Sequence, residues 1–302
     1  MLVVSTGPNA GHRPPFELDA GTVTPASEVP DRVPAILSGL TAVPGVRVVD
    51  AARIDPSVLS PLHDPDYVAF LREACAELTA AAEPDREPAL YPSVFPYRAG
   101  RLGGGLKARM GQYCFDTYTP LLPGTFGAAL RMASAALAAA DAVVAGERVA
   151  YAVGRPPGHH AERARCGGYS YLNGTALAAN HLSRLGPVAV LDVDVHHGNG
   201  TQHLFYHRAD VRTASVHGDP FGLFPYFSGF VGENGTGRGR GANRNYPLPQ
   251  ATDDRGYHPA LEAALEWLGM RRPAFLVVAI GYDTHEADPI GGFRLSTDYF
   301  SR

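Results

Sequence analysis

Short apolar runs alternate along this chain with longer stretches whose apolar residues recur every three or four positions. The short runs, at 2–5, 46–49, 149–153, 188–192, 211–216 and 275–280, read as strands. Several are apolar throughout, the pattern of a strand buried on both faces of a parallel sheet. The longer stretches predict helices at 33–41, 65–80, 126–145, 173–185 and 259–268. Gly146 and Gly186 fall where helix C-caps belong. Strands alternating with helices predict an α/β fold: a single-domain, doubly wound, mostly parallel sheet flanked by helices. The connections at 84–112 and 221–245 are too long for simple links and are expected to shape a site entrance.

Length and composition narrow the picture. The 302 residues suffice for one large domain spanning 1–302. With 45% hydrophobic and 19% charged residues the chain reads as soluble and globular. The longest apolar stretch, 128–145, carries Arg131 and Asp141 and reads as a buried helix rather than a membrane span. A net charge of -4 provides no basic surface for nucleic acid. The three cysteines, Cys75, Cys114 and Cys166, show neither metal-knuckle spacing nor a disulfide framework, so a reduced, cytoplasmic setting is expected. Cys166 lies near a loop of chemical interest and could be oxidisable, although an inert thiol is the favoured reading.

The chemistry gathers where three predicted strands end. After 188–191 comes Asp192-Val193-Asp194-Val195-His196-His197-Gly198-Asn199-Gly200. Extended alternation would put Asp192, Asp194 and His196 on one face in steps of roughly 6–7 Å. Buried carboxylates need a partner or a metal, and mixed oxygen and nitrogen donors suit zinc or a similar divalent ion. After the run at 150–154 comes Arg155-Pro156-Pro157-Gly158-His159-His160, tandem histidines on a rigid turn, either of which can serve as acid or base. The run at 274–280 ends in Gly281-Tyr282-Asp283. Asp283 is a natural third ligand, although it would equally cap a following helix. Two carboxylates and an imidazole make an open site with room for water and a substrate carbonyl.

Together these motifs resemble the zinc-dependent histone deacetylase superfamily, and within it the bacterial acetylpolyamine amidohydrolase branch. The likeness runs nearly end to end, through Gly111-Gln112-Tyr113-Cys114, Gly167-Gly168-Tyr169-Ser170-Tyr171-Leu172-Asn173, Ser215-Val216-His217-Gly218-Asp219-Pro220 and Phe224-Pro225-Tyr226-Phe227. The resemblance implies an arginase/deacetylase-like fold and removal of acetyl groups from a small acetylated amine or acetyl-lysine by metal-activated water attack. It implies Zn2+ held by Asp194, His196 and Asp283, with His159 and His160 as the paired acid/base residues. Asp192 would hydrogen-bond His159, and Asn199 would partner His160, leaving His160 as the general base. A structural K+ would sit on Asp192, on backbone carbonyls of Asp194, His196 and Val216, and on the Ser215 hydroxyl. Tyr169 and Phe224 would wall the substrate tunnel, Gly168 would let an alkyl chain pass, and Glu17 and Asp116 would be the acids near its mouth. Lys107 and Tyr118 stand where the branch has further acids, which weakens the polyamine reading and brings acetyl-lysine into view. A homodimer is also among the branch's expectations.

One departure matters. The family's second oxyanion donor is a tyrosine in a Gly-Gly-Tyr turn, and no such turn follows Asp283. Tyr299 stands too early and lacks the glycines. The chain is therefore expected to lack the last strand and closing helix at its C-terminus. The alternative function is a truncated, weakly active or inactive zinc- and ligand-binding relative. An arginase-like two-manganese site would need further ligands, where Val195 and Gly198 stand instead.

Overall fold

A computed structural model describes residues 1–9, 11–83, 88–97 and 104–301. They divide into two compact units, Met1–Leu177 and Ala178–Arg302.

The first unit opens with β1 (Leu2–Ser5), the hairpin of β2 (Glu17–Asp19) and β3 (Thr22–Thr24), α1 (Arg32–Thr41) and β4 (Arg47–Asp50). It continues with α2 (Pro65–Ala80), α3 (Leu106–Tyr113), α4 (Thr125–Val144) and β5 (Ala150–Val153). Its parallel sheet has the order β4-β1-β5, with Leu2 opposite both Arg47 and Ala150. The boundary between the units falls inside α5 (Gly174–Leu182). By length and composition α4 could cross a membrane, yet its Ala135 and Ala139 pack in a core with Val4 and Ala51. Gly146 takes φ +110° just past α4, a conformation that favours glycine, as its capping role requires.

The second unit contains β6 (Val188–Asp192), α6 (Asn199–Phe205), β7 (Val211–Gly218), β8 (Asn243–Leu248), α7 (Asp254–Gly269) and β9 (Phe275–Ala279). Its parallel sheet has the order β8-β7-β6-β9. Ala189 and Leu191 from β6, Ala214 and Val216 from β7 and the α7 residues Tyr257, Ala264, Trp267 and Leu268 share its core. Asp192 lies opposite both Ser215 and Ala279, so β6 and β9 end level while β7 runs on three residues to Gly218. Ligands bind at this edge in open α/β sheets.

The mostly parallel α/β class holds, its parallel strands lying in two hydrogen-bonded sets beside the antiparallel β2–β3 hairpin. Helix α7 begins five residues before the expected Pro259, because the Asp253 carboxylate accepts from Gly256 N (3.0 Å) and caps it there. Gly186 is not a cap: α5 stops at Leu182, and a Cβ at Gly186 would lie 2.9 Å from the Ala274 Cβ. The expected connection at 221–245 ends in β8, and that at 84–112 contains most of α3. Residues 84–87 and 98–103 of the latter lie outside the described residues.

Candidate active site

In the second unit, the chain leaving β6 curls instead of staying extended. The Asp192 Oδ1 accepts from Asp194 N (3.1 Å), and the Asp194 Oδ1 accepts from His196 N (2.9 Å). Two successive Asx turns of this kind replace the strand spacing that alternation alone predicts. From the end of β9, Asp283 reaches across, its Oδ1 accepting from Val195 N (2.9 Å). The result converges: His196 Nδ1 lies 3.2 Å from Asp194 Oδ1 and 2.9 Å from Asp283 Oδ2.

Gly281 makes this convergence possible. A Cβ there would sit 2.2 Å from Asp194 Oδ2 and 2.6 Å from Asp283 Oδ1. The donor atoms of Asp194, His196 and Asp283 all lie within 4.8 Å of one another and suit a divalent cation. The electrostatics agree. Burial works against a charged His196, but the hydrogen bonds and charges of Asp194 and Asp283 outweigh it and push the ring up to about 10. Burial, then the Asp194 charge, pushes Asp283 up to about 6, which His196 opposes. Two crowded carboxylates facing one imidazole form a strong trap for positive charge.

Phe224 stands edge-on to His196, ring centroids 6.2 Å apart. Asn199 is the first residue of α6 and is buried, as are Asp192 and Ser215. The Ser215 Oγ lies 2.8 Å from His217 Nδ1, and His217 Nε2 donates to Gly229 O (2.9 Å). In the neutral ring that tautomer makes Ser215 the donor, leaving its oxygen to act as an acceptor. Tyr299 is a core residue packed edge-on against Tyr257.

The first unit carries the tandem histidines, both buried, with ring centroids 3.9 Å apart. Asn173 holds their turn: its Nδ2 donates to His159 O (3.5 Å) and Ala161 O (3.2 Å), while its Oδ1 caps α5 through Ala176 N (2.9 Å). Asn173 N in turn donates to His63 Nε2 (3.0 Å), whose Nδ1 donates to Glu162 O (3.1 Å). Burial pulls His63 down to about 4, so it stays neutral with its proton on Nδ1. No local pattern around Leu62-His63-Asp64 signals this role.

Gly168 has φ +52°, and a Cβ there would lie 2.1 Å from His160 Cδ2. Its first task is thus to let the loop lie against the His160 ring. Tyr169 follows at φ +61°, and its hydroxyl donates to Glu17 Oε2 (2.9 Å), while Glu17 Oε1 accepts from Ser27 N (2.5 Å). Asp116 is buried beneath this loop: Oδ2 accepts from Gly168 N (2.5 Å) and Oδ1 from Tyr118 N (3.0 Å). Burial outweighs these hydrogen bonds and pushes Asp116 up to about 6. It props the loop from below. Tyr118 instead donates its hydroxyl to Asp19 Oδ1 (2.9 Å).

A histone deacetylase domain model matches residues 26–302, across both units. Acetylpolyamine amidohydrolase 1 of Pseudomonas aeruginosa is 39% identical over 303 residues, covering 99% of this chain and 88% of the relative. The acetylpolyamine amidohydrolase of Mycoplana ramosa is 38% identical over 290 residues, covering 94% of this chain and 84% of the relative. The crystal structure of an acetylpolyamine aminohydrolase from Burkholderia pseudomallei superposes with a TM-score of 0.94 at 34% identity, covering 100% of this chain and 88% of that one. The expected loss of a C-terminal strand and helix finds no support in these comparisons, and they do not favour an inactive relative. With a matching family model over most of its length and relatives of this identity and coverage, the chain belongs to the histone deacetylase domain family.

Proposed function

We propose that this chain is a zinc-dependent amidohydrolase that removes acetyl groups from acetylated amines, with residues 1–302 as its catalytic domain. The observation that carries the reading is the convergence of Asp194, His196 and Asp283 in a member of this family. The named relatives are acetylpolyamine amidohydrolases, which favours a small acetylated amine as substrate. When bound, zinc supplies Lewis acidity at the amide carbonyl and lowers the pKa of its water.

The remaining work falls to side chains of this chain. His160 takes the proton from the attacking water oxygen and returns it to the amine nitrogen as the C–N bond breaks. Water adds across the amide, so the products are acetate and the free amine. His159 supports that proton transfer under the hold of Asp192, and Asn199 keeps His160 oriented. Gly168 and Tyr169, with Phe224, guide the acyl chain, and Glu17 favours a positively charged distal group through Tyr169. A potassium ion on Asp192, Ser215 and the carbonyls of Asp194, His196 and Val216 steadies the carboxyl ends of β6 and β7. The Ser215 oxygen is an acceptor in the tautomer described above, which suits that ion. A cytoplasmic homodimer completes the reading.

The test is acetate release by the zinc-loaded chain from N-acetylputrescine and from an acetyl-lysine peptide in parallel. Faster turnover of N-acetylputrescine is expected. Zinc-loaded chain that turns over neither amide would defeat the proposal.

A further inference from the structure

The loop that props His160 is anchored through two thiols. Cys114 and Cys166 are partners in a parallel β-bridge. Backbone bonds clamp them from both sides, Cys166 N donating to Tyr113 O (2.8 Å) and Phe115 N to Cys166 O (3.1 Å). Partners in a sheet pair lie about 4.8 Å apart, with side chains on the same side. Disulfides span Cα separations of about 4.4–6.8 Å. Each thiol donates to a backbone carbonyl, Cys166 to Tyr113 O (3.1 Å) and Cys114 to Asp116 O (3.3 Å). Cys75, the third cysteine, lies apart on α2.

We propose that Cys114 and Cys166 are a reversible modification site, converted to an intramolecular disulfide by hydroperoxides. The step balances. One thiol, as thiolate, attacks a peroxide oxygen, releasing water and leaving a sulfenic acid. The second thiol displaces the sulfenic oxygen as water and forms the S–S bond. Two thiols are oxidised by two electrons, and hydrogen peroxide is reduced to two waters. A dithiol reductant reverses it by exchange.

Both cysteines are buried, and burial raises the Cys114 thiol well above its ordinary value. Oxidation therefore waits on local opening and is slow, but its product is fixed by the clamped geometry. Pulling the sulfurs to about 2.05 Å takes each away from its carbonyl acceptor. Cys114 is two residues from Asp116, which holds Gly168, and Cys166 is two residues from Gly168 itself. Gly168 has no slack, because it lies against the His160 ring. The linkage is thereby transmitted to the acid/base histidine, a consequence that rests on the deacetylase reading.

The experiment treats the zinc-loaded chain with hydrogen peroxide, alkylates free thiols and digests without reduction. A Cys114–Cys166 linked peptide is expected from wild type and Cys75→Ala, and none from Cys114→Ser or Cys166→Ser. Acetate release should fall on the order of tenfold as the linked peptide accumulates, and dithiothreitol should restore it. Recovery of the two cysteines on separate peptides, or linked only after unfolding, overturns the site. A fully linked chain with unchanged acetate release overturns its coupling to His160. If the reduced chain releases no acetate at all, the function has failed by itself, and the linked peptide alone decides the modification.

Discussion

Gly281 decides whether two carboxylates and an imidazole can meet. A methyl group at this position cannot coexist with Asp194 Oδ2 at 2.2 Å and Asp283 Oδ1 at 2.6 Å. Gly281→Ala should therefore weaken zinc binding about 10–100-fold, the usual cost of disturbing groups that orient metal ligands, read by competition with a chromophoric chelator. Unchanged affinity would show that the carboxylates have another way to converge. Asp194→Ala and Asp283→Ala should each abolish stoichiometric zinc by elemental analysis. Retention in both would discard the ligand assignment. His160→Ala should keep zinc and lose about 10²–10⁴ in rate, with near-normal turnover refuting its role as base. The types of these residues are legible in the sequence, since each follows an apolar run. Their geometry is not, because alternation predicts an extended chain where backbone-to-carboxylate turns curl it. Asp116 misleads for a related reason: sequence position places it near a tunnel, but its oxygens face backbone N–H groups.

At the scale of elements, apolar runs long enough to span a core are legible and short polar ones are not. The bounds of α2, β1 and β6 match their expected residues, because Pro65 at a helix start and continuous apolar strands leave little freedom. The β2–β3 hairpin and α6 pass unnoticed, being short and held by tertiary contacts rather than periodicity. Helix α7 starts early because the capping signal at Asp253 outweighs the preference of proline for a first turn. That cap carries a prediction. Its carboxylate satisfies one of the orphan N–H groups at the helix start, so Asp253→Ala should lower stability by about 1 kcal/mol. Urea unfolding should show a lower midpoint at unchanged slope. An unmoved midpoint would mean that Asp254, which accepts from Ser296 N (2.8 Å) and Oγ (2.6 Å), suffices to fix the helix start.

For the whole molecule, buried titratable groups make stability depend on pH in opposing directions. Burial holds His63 at about 4 against an ordinary 6.5, and burial, then the Arg155 charge, holds His12 at about 3. Between those values and 6.5 the unfolded chain binds protons that the folded chain refuses, so stability present at neutral pH is lost as pH falls. Asp116, pushed up to about 6, and the raised Glu28 carboxyl act the other way, stabilising at low pH and losing that contribution as pH rises. Because these contributions oppose one another, a difference measurement is the decisive one. His63→Gln replaces one titrating group and leaves the others, including the metal ligands, common to both proteins. Its neutral amide retains a hydrogen-bonding group for the Asn173 turn, so a fixed loss in stability is expected at neutral pH. From about pH 7.5 to 5, wild type should then lose about 2 kcal/mol relative to the variant, because only its unfolded state gains a proton at this position. Denaturant titrations of both proteins at matched zinc would read this as a narrowing gap. A gap that stays constant would mean that His63 accepts a proton in the folded chain, and that the tandem histidines do not rest on a permanently neutral support.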